Sequence, residues 1–254
     1  MYYPRIIPVL LLKDEYLVKS VKFKNHNYIG DPMHSVHIFN NLKVDEIVFL
    51  DIEASKKKRC ISFDFVKGIA EEANMPFSVG GGITNVTQIS ELIKAGAEKV
   101  VLNTVATQNL DFIKEASETF GSSTIVVAID VKKNWLGKEL VFSHGGTRSI
   151  GKSPKEYAQE LEFYGAGEII IQSIDHDGMQ NGYNISLIKT ISEAVTIPVV
   201  ALGGAGKVSD FKKAFEEGYA SSMAAGSMFV YQGNKKGVLI NYPSEELKIQ
   251  DLKF

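Results

Sequence analysis

The sequence predicts an α/β fold of one kind, a single (β/α)8 barrel built from two duplicated half-barrels. Two observations carry that expectation. The first is an internal repeat. PFSVGGG at 76–82, an apolar-periodic stretch and AGAEKVVLN return as PVVALGGAG at 198–206, a similar stretch and EGYASSMAA. An offset of 122 residues carries Val86, Ile89, Leu92, Ile93 and Gly96 onto Val208, Phe211, Ala214, Phe215 and Gly218. That is the spacing of one buried helix face, so the repeated unit is strand, glycine turn, helix, strand. The second observation is eight short apolar runs, at 5–12, 46–51, 77–79, 99–103, 125–130, 168–173, 199–202 and 222–226. Their near-continuous apolar character is that of parallel strands covered on both faces. Strand alternating with helix gives a parallel sheet, and eight repeats close it. Closure is favoured over a doubly wound open sheet because two four-strand halves join without leaving edges.

Each element has its local reason. RIIPVLLL makes the first strand and breaks at Lys13-Asp14. The connection 13–32 is unusually long for a βα loop. Alternation of Tyr16, Val18, Val21 and Phe23 suggests a small hairpin there, and on sequence alone a loop of this length fits a lid or a decorative insertion equally well. A helical pattern covers 63–73 after the second strand. Ser153-Pro154-Lys155-Glu156 has the form of a capping box, with proline at the first helical position. No Pro/Gly/Ser linker divides the chain, so 1–254 is expected to be one domain.

Composition narrows the function. The chain has 254 residues, 44% hydrophobic and 23% charged, with a net charge of −2. It therefore presents no overall field for attracting nucleic acid or an anionic membrane, and neither is expected as a partner. One cysteine, Cys60, excludes an internal disulfide and a thiolate metal cluster. No apolar run approaches bilayer length and the opening lacks a signal-peptide pattern, so the protein is expected to be cytoplasmic. No His and carboxylate spacing resembles a metal site, and no metal or cofactor is expected.

In a barrel of this type the reacting groups sit at the carboxyl ends of the strands. Those ends offer Asp51, Gly80-Gly81-Gly82, Asn103-Thr104, Asp130, Asp177, Gly203-Gly204 and Gly226-Ser227. Two glycine turns, each with a small polar partner one strand later, suit two phosphate cradles. Cradles on opposite sides of one mouth imply a ligand with a phosphate at each end. Asp130 ends a strand of apolar residues and is the leading catalytic candidate. Asp51 and Asp177 are second-rank groups that could bind ligand hydroxyls. At the other end of the barrel, four strands begin with a charge: Arg5, Glu46, Lys99 and Glu168. Strand starts often meet water, so on the residues alone solvated charges are the simpler reading.

RIIPVLLLK, GDP, DEIVFLDI, VGGGI, AGAEKV, VVAIDVK, HGG, GAGEI, DGMQNGY and GGAGK, in this order, resemble the cyclase subunit of imidazole glycerol phosphate synthase over about the whole chain. The resemblance implies the duplicated barrel and a partner, a separate glutaminase docked on the bottom face. Ammonia released there would pass through the charged ring to a phosphorylated small molecule at the top. Arg5, Glu46, Lys99 and Glu168 then become an ammonia gate, Glu98 a rim contact to the glutaminase, and Lys19 joins the ligand-binding set.

The sequence also departs from that family. Its acid–base pair is two aspartates ending the first and fifth strands. An offset of 119 residues sets PVLLLK against VVAIDVK, so that Asp130 matches the second aspartate and Leu11 falls where the first belongs. Leucine transfers no proton, and such assistance is typically worth about 10²–10⁴-fold. The ending GSMFVYQGNKKGVLINYPSEELK looks like a divergent branch associated with surface-polysaccharide genes and acetamidino sugars, where ammonia goes to a separate sugar amidotransferase. Three functions follow as expectations. One is an ammonia-conducting barrel for sugar amidation. Another is an active cyclase in which Asp51 or Lys19 replaces the missing acid. The third is a non-catalytic phosphosugar-binding platform that activates the glutaminase.

Overall fold

The computed structural model describes residues 4–233 and 237–244; the remainder of the expected 1–254 domain, including parts of the diverged ending, lies outside the described residues. Eight parallel strands close into a barrel. They are Arg5–Lys13, Ile47–Asp51, Phe77–Gly80, Lys99–Leu102, Ile125–Lys133, Glu168–Ser173, Val199–Leu202 and Ser222–Ala225. Each pairs with the next, and the first closes on the eighth through Arg5↔Ser222 to Pro8↔Ala225.

Strand side chains alternate between two apolar regions, as the pleat requires. Ile7, Val9, Val48, Val101, Val126, Ile170, Val200 and Ala224 fill the lumen. Their strand neighbours, such as Ile6, Leu10, Ile47, Phe49, Val127 and Ile171, pack outward under the helices in a larger core. This double burial is why the strands read as unbroken apolar runs.

The duplication is written into the backbone. Asn85 precedes the helix Val86–Lys94 with φ −151° and ψ 161°, and Lys207 precedes Val208–Glu216 with φ −153° and ψ 161°. The offset between them is the 122 residues of the sequence repeat. The helix Phe63–Glu72 starts on the Ser62 side chain, which accepts from Phe65 N–H, and ends one residue short of the expected Ala73. At Ser153 the expected cap forms, its hydroxyl accepting from Glu156 N–H at 3.3 Å.

Two features sit above the mouth. The expected hairpin runs as Tyr16–Val21 and Lys24–Gly30, with left-handed Lys22 and Phe23 at its turn. Phe23 therefore belongs to the turn and does not continue the strand alternation. The second was not anticipated. The fifth strand runs past Asp130 to Lys133 and turns back as Glu139–Ser143, pairing antiparallel. Its tip carries Trp135, 90% exposed.

Candidate functional site

The base of the barrel is closed by side chains. Arg5, Ile7, Val9 and Leu11 share one face of the first strand, so the first of them points into the lumen floor. Arg5 contacts Glu46 at 2.5 Å and also Glu168. Lys99 meets Glu168 at 2.9 Å and Glu46 at 3.5 Å. Each cation thus touches both carboxylates, and Ser78 donates to Glu46 at 2.8 Å. The simpler expectation of separately solvated charges is corrected here: both glutamates are buried. Inward register requires this, because a charge pointing into an apolar lumen is stable only when paired. Glu98, one residue before Lys99, is exposed on the same rim.

Above the ring the lumen is hydrocarbon, and above that it opens into a cavity of about 1020 Å³. Leu11, Leu50 and Leu202 form an apolar wall on the first, second and seventh strands, while Asn103, Asp130 and Gln172 supply polar groups from the fourth, fifth and sixth. Asp130 is 8% exposed. Asn103 donates to it at 3.1 Å and to Ala128 C=O at 3.0 Å. Burial pushes the Asp130 carboxyl up to about 7, with the Asn103 bond opposing and the charge of Asp177 adding.

Lys19 reaches into the mouth from the hairpin. It is 4% exposed and donates to Val9 C=O. Burial pulls its ammonium down to about 8, against the attraction of Asp177. Asp177 holds the hairpin in place. It accepts from Ser20 Oγ at 2.8 Å and from Phe23 N–H at 3.3 Å, and its carbonyl accepts from Lys22 N–H at 3.0 Å. Gln172 donates to the same carboxylate at 3.3 Å. Burial raises the Asp177 carboxyl despite these bonds. The segment read as a lid or an insertion is thus fastened to the sixth-strand loop, and Asp177 spends much of its bonding capacity on fastening it.

Asp51 is similarly engaged. It accepts from Arg59 at 2.5 Å and from the N–H groups of Glu53 and Ala54, both at 3.1 Å. It lines the cavity as the anchor of the second-strand loop, with little capacity left for a ligand. The loop packs on the first glycine turn: a Cβ on left-handed Gly81 would stand 2.6 Å from Asp51 O, and Gly82 faces Arg59 O. On the far side a Cβ on Gly203 would stand 2.8 Å from Ser173 O, with Gly204 against Gly182. These glycines are required by close backbone approach, whatever they bind.

After the first glycine turn the Asn85 side chain takes one first-turn donor, Gln88 N–H; after the second, Asp210 accepts from Gly206 and Lys207 N–H just ahead of the helix. Two short helices differ. Thr104–Gln108 follows Asn103 and Ser227–Val230 follows Gly226, and neither has a side-chain cap. Their starts share a backbone form, φ −141° and ψ −81° at Asn103, φ −109° and ψ −73° at Gly226. Both line the cavity. The pairing of each glycine turn with a polar residue one strand later survives, but the open helix ends are those at Thr104 and Ser227.

Among the described residues no group of three His, Cys, Asp or Glu side chains could hold a metal, and no helix is long and apolar enough to cross a membrane. Gln172 and Ser20 were missed in the sequence. Gln172 was findable, since it shares the inward face of its strand with Glu168 and Ile170.

A family model described as histidine biosynthesis protein matches residues 5–236. The chain belongs to that family. Among the chain's relatives is imidazole glycerol phosphate synthase subunit HisF of Thermococcus onnurineus, 48% identical over 89% of both chains. The HisF subunit of Petrotoga mobilis is 44% identical over 97% of this chain and 94% of its own. A Pseudomonas aeruginosa protein provisionally named imidazole glycerol phosphate synthase subunit hisF2 is 44% identical over 94% and 95%. Within the family the chain is therefore of the HisF type.

Proposed function

We propose that this barrel conducts ammonia from a glutaminase partner, seated against the charged ring, to its own mouth, in the service of amidating a bacterial surface sugar. The observation that carries the proposal is the stack along one axis. A charge-balanced ring of Arg5, Glu46, Lys99 and Glu168 lies below an apolar lumen, which lies below an open cavity. An aliphatic lumen suits neutral ammonia and disfavours ammonium, which would lose its hydration without a counter-ion. The two open helix ends suit an anionic ligand at the mouth. Leu11 argues against ring closure as the main reaction: it stands in the apolar wall at the position where the family resemblance implies a proton-transferring aspartate.

A second reading, an active cyclase, is favoured by one observation. Lys19 and Asp130 line the same cavity, with pKa values of about 8 and about 7 that suit proton transfer near neutrality. The test supplies the ribulosyl intermediate of histidine synthesis with ammonium salt. Turnover roughly 100-fold or more below that of an ordinary cyclase is expected, with a gain when Leu11→Asp restores the carboxylate. Ordinary turnover, or growth of a histidine auxotroph lacking the cyclase, overturns the proposal. Loss of glutaminase stimulation in Arg5→Ala or Lys99→Ala separates a conducting barrel from a passive platform.

A further inference from the structure

We propose that Tyr242, in the segment after the eighth strand, is a positioning residue for the charged ring; its functional arm rests on the ammonia-conducting role given above. The reason lies in a seam. The first strand pairs with the eighth through its lower half, Arg5 to Pro8, and with the second only from Val9↔Val48 upward. Pro8 has no N–H to give. Below it, Ile6 has backbone groups facing the second strand with no ladder to receive them.

Two side chains take the place of that ladder. Ile6 N–H donates to Asp45 Oδ2 at 2.9 Å. The Tyr242 hydroxyl lies 2.8 Å from Ile6 C=O and 3.0 Å from Asp45 Oδ2, and it accepts from Asp45 N–H at 3.3 Å. Its one proton serves Ile6 or Asp45 in turn. Arg5 is the chain neighbour of Ile6, and Glu46 is the neighbour of Asp45. The bonds that close the seam therefore fix the backbone from which the 2.5 Å Arg5–Glu46 contact is made.

The phenol is itself held. Its ring packs on Phe229 with centroids 5.5 Å apart, and its own segment is tied down by Leu239 N–H to Val230 C=O at 3.0 Å and Asn241 N–H to Phe229 C=O at 2.9 Å. Tyr242 is buried, so the hydroxyl cannot be replaced by water without opening the seam. The diverged ending thus reaches back to the base of the barrel.

The test compares wild type with Tyr242→Phe, and with Asp45→Ala approaching the seam from the other side. Hydrogen exchange is read on the barrel alone at the Ile6 amide and at Arg5 Nε–H, which donates to Ser222 at 3.2 Å. Both are expected to exchange about tenfold faster in Tyr242→Phe, while amides of the sixth strand stay unchanged. Faster exchange at Ile6 with none at Arg5 leaves Tyr242 a structural residue only and overturns the proposal, as does uniform acceleration throughout. In the complex with the glutaminase, Tyr242→Phe is expected to raise the share of ammonia escaping to solvent, with no further rise when added to Arg5→Ala. Additive escape overturns positioning through Arg5. If Arg5→Ala alone leaves escape unchanged, the ammonia role has failed, and the exchange result still decides the proposal.

Discussion

The two ends of the barrel use similar groups in opposite ways. At the base, two cations and two carboxylates interlock, each cation touching both anions. At the mouth, Lys19, Asp130 and Asp177 line one cavity, yet among the described residues none of them makes an ion pair. Instead Asp130 is pushed up to about 7 and Lys19 pulled down to about 8. Burial with a partner fixes a charge in place, while burial without one makes its proton easy to move. The base is arranged to stay as it is, and the mouth to change state.

The largest test of that contrast is Asp130→Asn. Asp130 titrates near 7 in the fold against 3.8 for an unperturbed carboxyl, so below 3.8 both states are protonated and the ionised form costs nothing extra. Between 3.8 and 7 the folded protein holds the proton more tightly, and stability falls as pH rises. Asp130→Asn is therefore expected to stabilise at pH 8 by on the order of 4 kcal/mol and to have little effect near pH 3.5, checked by urea unfolding at both. Destabilisation at pH 8 would break the comparison.

Glu168→Ala acts at the other end and in the other direction. It strips Arg5 and Lys99 of a shared partner, and a loss of about 3 kcal/mol at pH 7 is expected by the same assay. Smaller again is Lys19→Met, which removes a buried charge. Its pKa of about 8 against 10.5 means the penalty is complete below 8 and gone above 10.5. That shift corresponds to about 3 kcal/mol at pH 7; losing the bond to Val9 C=O takes back about 1 kcal/mol, so a gain of roughly 2 kcal/mol is expected, fading as pH climbs through that window. The smallest effect belongs to Trp135→Ser, on the exposed hairpin tip, where unfolding should move by less than about 0.5 kcal/mol.

Much of this was legible in the chain. Eight doubly buried strands and a repeated glycine turn suffice for a closed barrel, and the 122-residue offset recovered positions whose backbone angles agree within a few degrees. The candidate residues Asp130, Asn103, Thr104 and Ser227 line one cavity, because all four sit at or just after the carboxyl ends of barrel strands. What could not be read was which groups had been spent. Asp51 pairs with Arg59 only through the shape of the loop between them, and Asp177 with a hairpin residue 157 positions away, so neither follows from a strand or helix period. The Lys133 to Glu139 hairpin was hidden because the run of lysines after Asp130 looks like an ordinary strand exit. The seam at Tyr242 joins residues 236 positions apart, beyond any periodicity.

The ring also records which half-barrel contributes what. Arg5, Glu46 and Lys99 lie in the first half and Glu168 alone in the second. Two copies of the first half, assembled symmetrically, would set four cations against two carboxylates. Two copies of the second would bring two carboxylates and no cation to meet them. Electroneutrality at the floor exists only in the mixed assembly, so the ancestral symmetry can no longer be restored by pairing either half with itself.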